Sequence, residues 1–145
     1  MDKTERTLMI NDPVLRNDWH PVATVKQLEA KGMVSVRLLG QDLLLWRADG
    51  AIRAWQDLCI HRGTRLSLGK IKGETLACPY HGWVYDSSGH CIHIPAHPEQ
   101  TPPAKAQVQR YQTQVCYDLI WVCLGEPATA IPSFPEWEKA AYRKI

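Results

Sequence analysis

Two short segments constrain this chain more than anything else in it. Cys59-Ile60-His61 and Cys78-Pro79-Tyr80-His81 each put a cysteine and a histidine within one turn of chain, and 16 residues separate the pairs. Thiolates are soft donors and imidazoles borderline ones, so two of each make a good site for iron or zinc. Gly63, Gly69, Gly73 and Gly82 supply bends around them, and Pro79 stiffens the second loop. Each loop therefore offers one sulfur and one nitrogen to a shared centre. Mixed structural zinc sites usually pair two cysteines in one turn and two histidines in another. The order here is Cys, His, Cys, His. A two-iron, two-sulfide cluster accounts for that alternation, with both thiolates on one iron and both imidazoles on the other. Zinc stays open as the alternative, and a chance meeting of core residues is the bland one.

Composition narrows the setting. The 145 residues suit one domain, and 17 basic against 15 acidic residues give a net charge of +2. Nothing in that balance calls for nucleic acid or an anionic membrane surface. No apolar run is long enough to span a bilayer, and the charged start, MDKTERTLMI, lacks the apolar stretch of a signal peptide. A cytoplasmic location is the expectation. Five cysteines is an odd number for a disulfide framework. In a reducing compartment Cys59 and Cys78 read as ligands, while Cys116 and Cys123, in apolar strand-like runs, read as buried inert thiols. Cys91 follows a turn close to the second loop and has no clear role.

The remaining pattern is that of short strands. Val34, Val36 and Leu38 alternate with polar residues. LLLWRADGAIRAW reads as a hairpin turning at Asp49-Gly50. ETLACP and GWVYDSSGHCIHI read as strand pieces with a turn over 86–89, and VQRYQTQVCYDLIWVCLG as a hairpin turning near Tyr117-Asp118. TVKQLEAKG predicts one short helix ending at Gly32. The expected fold class is all-β, a sandwich or small barrel. Trp46, Trp55 and Trp121 fall in strand-like runs and read as core, and Trp19 as an anchor for the entering chain. The tail from Gly125 holds three of the ten prolines and then a charged segment, which reads as a linker.

The segment CIHRGTRLSLGKIKGETLACPYHGWVYDSSGHCIHIP resembles the N-terminal Rieske domain of Rieske non-haem iron oxygenases. Its GHCIHIP run is similar to that of the group with vanillate demethylase, phthalate dioxygenase and pheophorbide oxygenase. The resemblance implies the Rieske fold, antiparallel β-sheets with a 2Fe-2S cluster held between two loops at the tip. It implies Cys59, His61, Cys78 and His81 as the metal and cofactor ligands. Arg62, Gly63, Tyr80, Trp83 and Tyr85 fall in the cluster environment. Trp83 is expected to shield the cluster, and Tyr85 either to donate a hydrogen bond to a ligand sulfur or to fill core. Respiratory-type Rieske proteins carry loop cysteines that form a disulfide, and a serine after the second His-Gly. The matching positions here are Thr64, Tyr80 and Trp83, so the crosslink and that hydroxyl are missing. Fewer hydrogen bonds to sulfur predict a potential in the lower part of the roughly −150 to +300 mV range of such centres.

By the same resemblance the chain is the electron-entry domain of an oxygenase that hydroxylates or demethylates an aromatic or other small organic substrate. The parent protein would be the enzyme, with no catalytic residue in this chain. His81 is the expected electron exit toward a mononuclear non-haem iron, expected in the catalytic domain of a neighbouring subunit. The expected division is 1–18 as an N-terminal extension, 19–126 as the Rieske 2Fe-2S domain and 127–145 as a Pro-rich linker toward an absent catalytic domain. His90, His93 and His97, near Glu99, read as exposed loop histidines, since their spacing and Pro95 and Pro98 oppose a second metal site. Arg62, Arg65, Lys70 and Lys72 read either as a solvated basic face or as a docking patch for an electron-donor reductase or ferredoxin. The rival expectation is a free-standing Rieske ferredoxin acting as an electron carrier.

Overall fold

A computed structural model of the chain describes residues 10–60, 64–79 and 82–133. Its centre is the strand β3, Gln41–Ala48, whose LLLW run is buried on both faces. Such a run, apolar without alternation, is what a strand covered on two sides requires. Leu43 and Leu45 enter one core with Val34, Leu38, Ile120 and Val122. Leu44, Trp46 and Ala48 enter another with Cys59, Cys78 and Tyr85. Full burial of each large side chain contributes roughly 1.5–3 kcal/mol, so β3 ties both cores together.

Around it lie α1 (Pro13–Arg16), β1 (His20–Thr24), α2 (Val25–Lys31), β2 (Met33–Leu38) and β4 (Ala51–Gln56). A 3-10 turn at Leu66–Leu68 precedes β5 (Lys70–Lys72), β6 (Thr75–Ala77), β7 (Val84–Tyr85), β8 (Cys91–His93), β9 (Arg110–Cys116) and β10 (Leu119–Cys123). One sheet runs in the order β1-β10-β9-β4-β3-β2 and a second in the order β5-β6-β7-β8. Every strand pair is antiparallel. This is the all-β fold with antiparallel sheets that the sequence suggests.

The hairpins of the large sheet turn in the same way. Leu39-Gly40, Asp49-Gly50 and Tyr117-Asp118 all have positive φ at both residues, the mirror-image turn whose twist suits paired strands. α2 forms where TVKQLEAKG indicates it. Thr24 and Gln27 make a reciprocal capping box, and Gly32, at φ 78°, caps the other end with its N–H on the Leu28 carbonyl. Trp19 packs with Trp121 and Cys123 in a small third core, in keeping with the anchor role expected of it.

The segments either side of the body are strapped to one another. The Gly125 N–H donates to the Arg16 carbonyl, and the Glu126 and Ala128 N–H groups donate to Asn17. The start of the Pro-rich tail is thus tied to the C-terminal end of α1, and farther on the Pro132 carbonyl accepts from the Tyr117 hydroxyl in the β9–β10 turn. No helix among the described residues is long and apolar enough to cross a membrane.

Candidate metal centre

Cys59 follows β4 and Cys78 follows β6, so each thiol sits where a strand runs out into a loop. Both are buried, at 0% and 3% exposure, and both belong to the same core. The two loops share a frame. The Cys59 N–H donates to the Thr64 carbonyl at 2.6 Å and the Cys78 N–H to the Trp83 carbonyl at 2.7 Å. In each case the acceptor lies five residues on, although the Cys-to-His spacing differs by one residue. Gly82, at φ 69°, provides the reversal in the second loop. Trp83 is half-buried and packs against the core that holds both sulfurs.

The loops are brought together by a close backbone approach. A Cβ on Gly69 would stand 2.1 Å from the Ala77 carbonyl oxygen, so only glycine lets the end of the Leu66–Leu68 turn lie against the root of the Cys78 loop. Beside it, Leu68, Lys70, Lys72, Cys78 and Pro79 help to line a cavity of about 270 Å³.

The first loop is fixed at its neck by Asp57. This carboxylate is buried and accepts from the Ser67 N–H at 2.7 Å, the Ser67 hydroxyl at 2.6 Å and the Arg65 Nε at 3.1 Å. Arg65 also donates to the Ser35 hydroxyl at 2.8 Å and lies 4.0 Å from Asp42. A buried carboxylate needs such company, because desolvation without partners is costly.

Tyr85 reaches the first thiol from the opposite side. Its hydroxyl is 3.1 Å from the Cys59 sulfur. Trp55 meets Tyr85 edge-on at 6.4 Å and Trp46 meets Trp55 edge-on at 5.0 Å, contacts worth about 0.5–1.5 kcal/mol each beyond burial. Burial, followed by the contact with Cys59, pushes the Tyr85 pKa far above the ordinary phenol value. The hydroxyl thus keeps its proton and can donate to a thiolate. Core packing and sulfur contact, set against each other by the sequence reading, are both present.

Tyr85 leads directly into a tight turn. The Asp86 carboxylate accepts from the Ser88 N–H at 3.0 Å, the Ser88 hydroxyl at 2.6 Å and the His90 N–H at 3.1 Å. Burial alone would raise its pKa, but these donors and the His90 ring outweigh it and hold the carboxyl below its usual range.

Of the residues singled out from sequence, Cys59, Cys78, Trp83 and Tyr85 converge on one core. His61, Arg62, Gly63, Tyr80 and His81 lie outside the described residues. Among the described residues no group of three or more His, Cys, Asp or Glu is placed to hold a metal ion. The chemistry of the donors present fits a sulfur-ligated iron: two buried thiols on facing loops, one with a hydroxyl directed at it.

Two expectations need correction. Cys116 is half-buried, not buried, because its strand β9 presents an alternating, largely open face; Cys123 is buried, and burial pushes its thiol pKa up. Arg65 is exposed, as a basic face requires, and its guanidinium is also held by Asp57 and Ser35. His90 is half-buried and its Nδ1 lies 2.8 Å from the Ser88 hydroxyl, while His93 ends β8 and His97 is exposed. Cys91 joins the core of Cys59 and Cys78, where burial raises its pKa. Asp57 and Ser67 escaped the sequence reading, and Gly69 was read only as a bend. The signal was the acid two residues before the first cysteine and the Leu-Ser-Leu-Gly run after the loop.

Residues 18–118 match the family model for the Rieske [2Fe-2S] domain. Methylxanthine N1-demethylase NdmA of Pseudomonas putida is 42% identical over 135 residues, covering 87% of this chain and 38% of the demethylase. Oxidoreductase NdmD of the same organism is 42% identical over 113 residues, covering 77% of this chain and 19% of that protein. Among solved structures, Pseudomonas putida CBB5 NdmB superposes with a TM-score of 0.82 at 36% identity, over 90% of this chain and 42% of NdmB. The terminal oxygenase of carbazole 1,9a-dioxygenase from Novosphingobium sp. KA1 gives 0.72 at 32% identity, over 79% and 32% of the two chains. The chain thus spans about two fifths of the demethylases and a fifth of the oxidoreductase.

Proposed function

The chain belongs to the Rieske [2Fe-2S] domain family, and from that premise we propose that it is the electron-entry domain of an oxygenase that hydroxylates or demethylates a small organic substrate. The observation that carries the reading is the pair of buried thiols, Cys59 and Cys78, on facing loops that share one hydrogen-bonding frame. When bound, a Rieske cluster supplies reversible transfer of one electron. Cys59 and Cys78 would give thiolates to one iron, and His61 and His81 imidazoles to the other. Tyr85 would donate a hydrogen bond from its hydroxyl to the Cys59 sulfur, and Trp83 would keep water from the second loop. A histidine ligand uses one ring nitrogen for iron, so the second N–H of His81 would serve as the donor toward an electron acceptor.

By this reading His81 would be the point from which the electron passes toward a mononuclear iron held in a separate catalytic domain. The donor is a reductase or ferredoxin that meets the lysines of β5. Similarity to demethylases over most of the chain favours this reading over that of a separate carrier, because the match to the oxidoreductase stops short of it. The test is chemical analysis of the purified protein. Two irons and two acid-labile sulfides per chain, and a rhombic electron paramagnetic resonance signal on reduction, are expected. One metal without sulfide would mean a zinc or mononuclear site. Replacement of His81 by Ala should remove the signal and leave the fold's circular dichroism in place.

A further inference from the structure

The Asp57 network does more than a surface ion pair does. Asp57 and Ser67 stand at the two ends of the loop that carries Cys59, and the buried carboxylate joins them through both the Ser67 N–H and hydroxyl. Arg65 lies on the same carboxylate at 3.0 Å, while half of its own side chain is exposed. The pair is therefore asymmetric: a negative charge inside the protein, two residues from a ligand sulfur, and a positive charge at its rim. Two residues of chain place the Asp57 and Cys59 Cα atoms at most about 7 Å apart. A buried charge near a redox centre is screened less than a solvated one.

We propose that Asp57 is a positioning residue for the first ligand loop, and that its pairing with Arg65 sets the electron affinity of the centre held there. This rests on the cluster reading given above. Asp57 holds the loop at the spacing the cysteine needs. Arg65 cancels a buried charge that would otherwise favour the oxidised, more positive state.

The sign of the effect separates this from a purely structural role. Arg65→Gln leaves Asp57 uncompensated, so the reduction potential should fall. Asp57→Asn removes the negative charge, so the potential should rise, and iron should pass faster to a chelator because the loop neck has lost its charged acceptor. Arg65→Lys keeps the charge and should return the potential toward the wild-type value. The measurements are iron and sulfide content, potential by protein-film voltammetry and the rate of iron loss to a chelator, on the intact protein. Equal potentials in wild type and Arg65→Gln, or shifts of the same sign in Arg65→Gln and Asp57→Asn, overturn the proposal. If Asp57→Asn does not fold, the comparison of Arg65→Gln with Arg65→Lys decides it: a fall reversed by lysine supports the proposal, and any other result overturns it. A wild-type protein lacking two irons and two sulfides would instead overturn the cluster reading itself.

Discussion

The hydroxyl of Tyr85 lies 3.1 Å from the sulfur of Cys59 across the core shared by the two ligand loops. Because the phenol is buried and its pKa is raised, the hydroxyl keeps its hydrogen and is able to donate it in a hydrogen bond to a ligand thiolate. A donor at sulfur relieves electron density and stabilises the reduced state. Tyr85→Phe should therefore lower the reduction potential while keeping the ring and its contact with Trp55. A differential of about 1 kcal/mol between redox states corresponds to roughly 40 mV. Voltammetry that shows no change in the phenylalanine variant would remove Tyr85 from the list of groups that tune the centre.

Gly69, which ends the Leu66–Leu68 turn and leads into β5, lies with its backbone against Ala77 at the root of the Cys78 loop. A methyl group there would overlap the Ala77 carbonyl oxygen, and neither partner is a flexible side chain. Gly69→Ala should lower stability by at least the roughly 1–3 kcal/mol typical of overpacking. It should also lower iron content, since the clash separates the loop roots. Urea unfolding and iron analysis on the same preparation check both effects. A variant with wild-type stability and full iron would show that the approach is not needed.

Legibility in the sequence followed the range of the interactions. The hairpins at Asp49-Gly50 and Tyr117-Asp118 and the helix Val25–Lys31 are local, and their turn and capping residues announce them. β1, held to β10 far along the chain, and the short edge strand β5, all of whose residues are exposed, left no comparable trace. In the site, Cys59 and Cys78 were legible because ligands need particular atoms at particular spacings. Asp57 was not, because its meaning depends on Ser67 and Arg65 folding back onto it. The second role of Arg65 was hidden for the same reason: charge alone points to an exposed basic residue, which it is, and not to the buried acid that holds it.

The turn after Tyr85 predicts an acid limit. The net effect at Asp86 is a folded-state pKa below its value in the unfolded chain, about 3.9. The contribution of this carboxylate to stability is thus complete above that value and is lost as pH falls through the lower folded value. Removing the acceptor by Asp86→Ala should flatten the acid branch of a stability–pH profile and reduce stability near neutrality by about 1 kcal/mol. An unchanged acid branch in urea titrations between pH 2 and 6 would place the acid sensitivity elsewhere.

Arg65 is held by Asp57, and among the described residues on this side Lys70 and Lys72 are exposed on β5 and line the cavity against Cys78 and Pro79. An edge strand carrying lysines also resists pairing with other chains, so the docking role must show itself in kinetics. Complementary charge accelerates encounter and is screened by salt over about 10 Å at 0.1 M. Replacing both lysines by glutamate should slow reduction by an acidic ferredoxin-type donor roughly tenfold at low ionic strength, with little effect on reduction by dithionite. The slowing should shrink as salt is raised. Stopped-flow reduction of wild type and the double variant at low and high salt measures this; rates that coincide under both conditions would leave β5 as a guarded sheet edge and move the donor to another face.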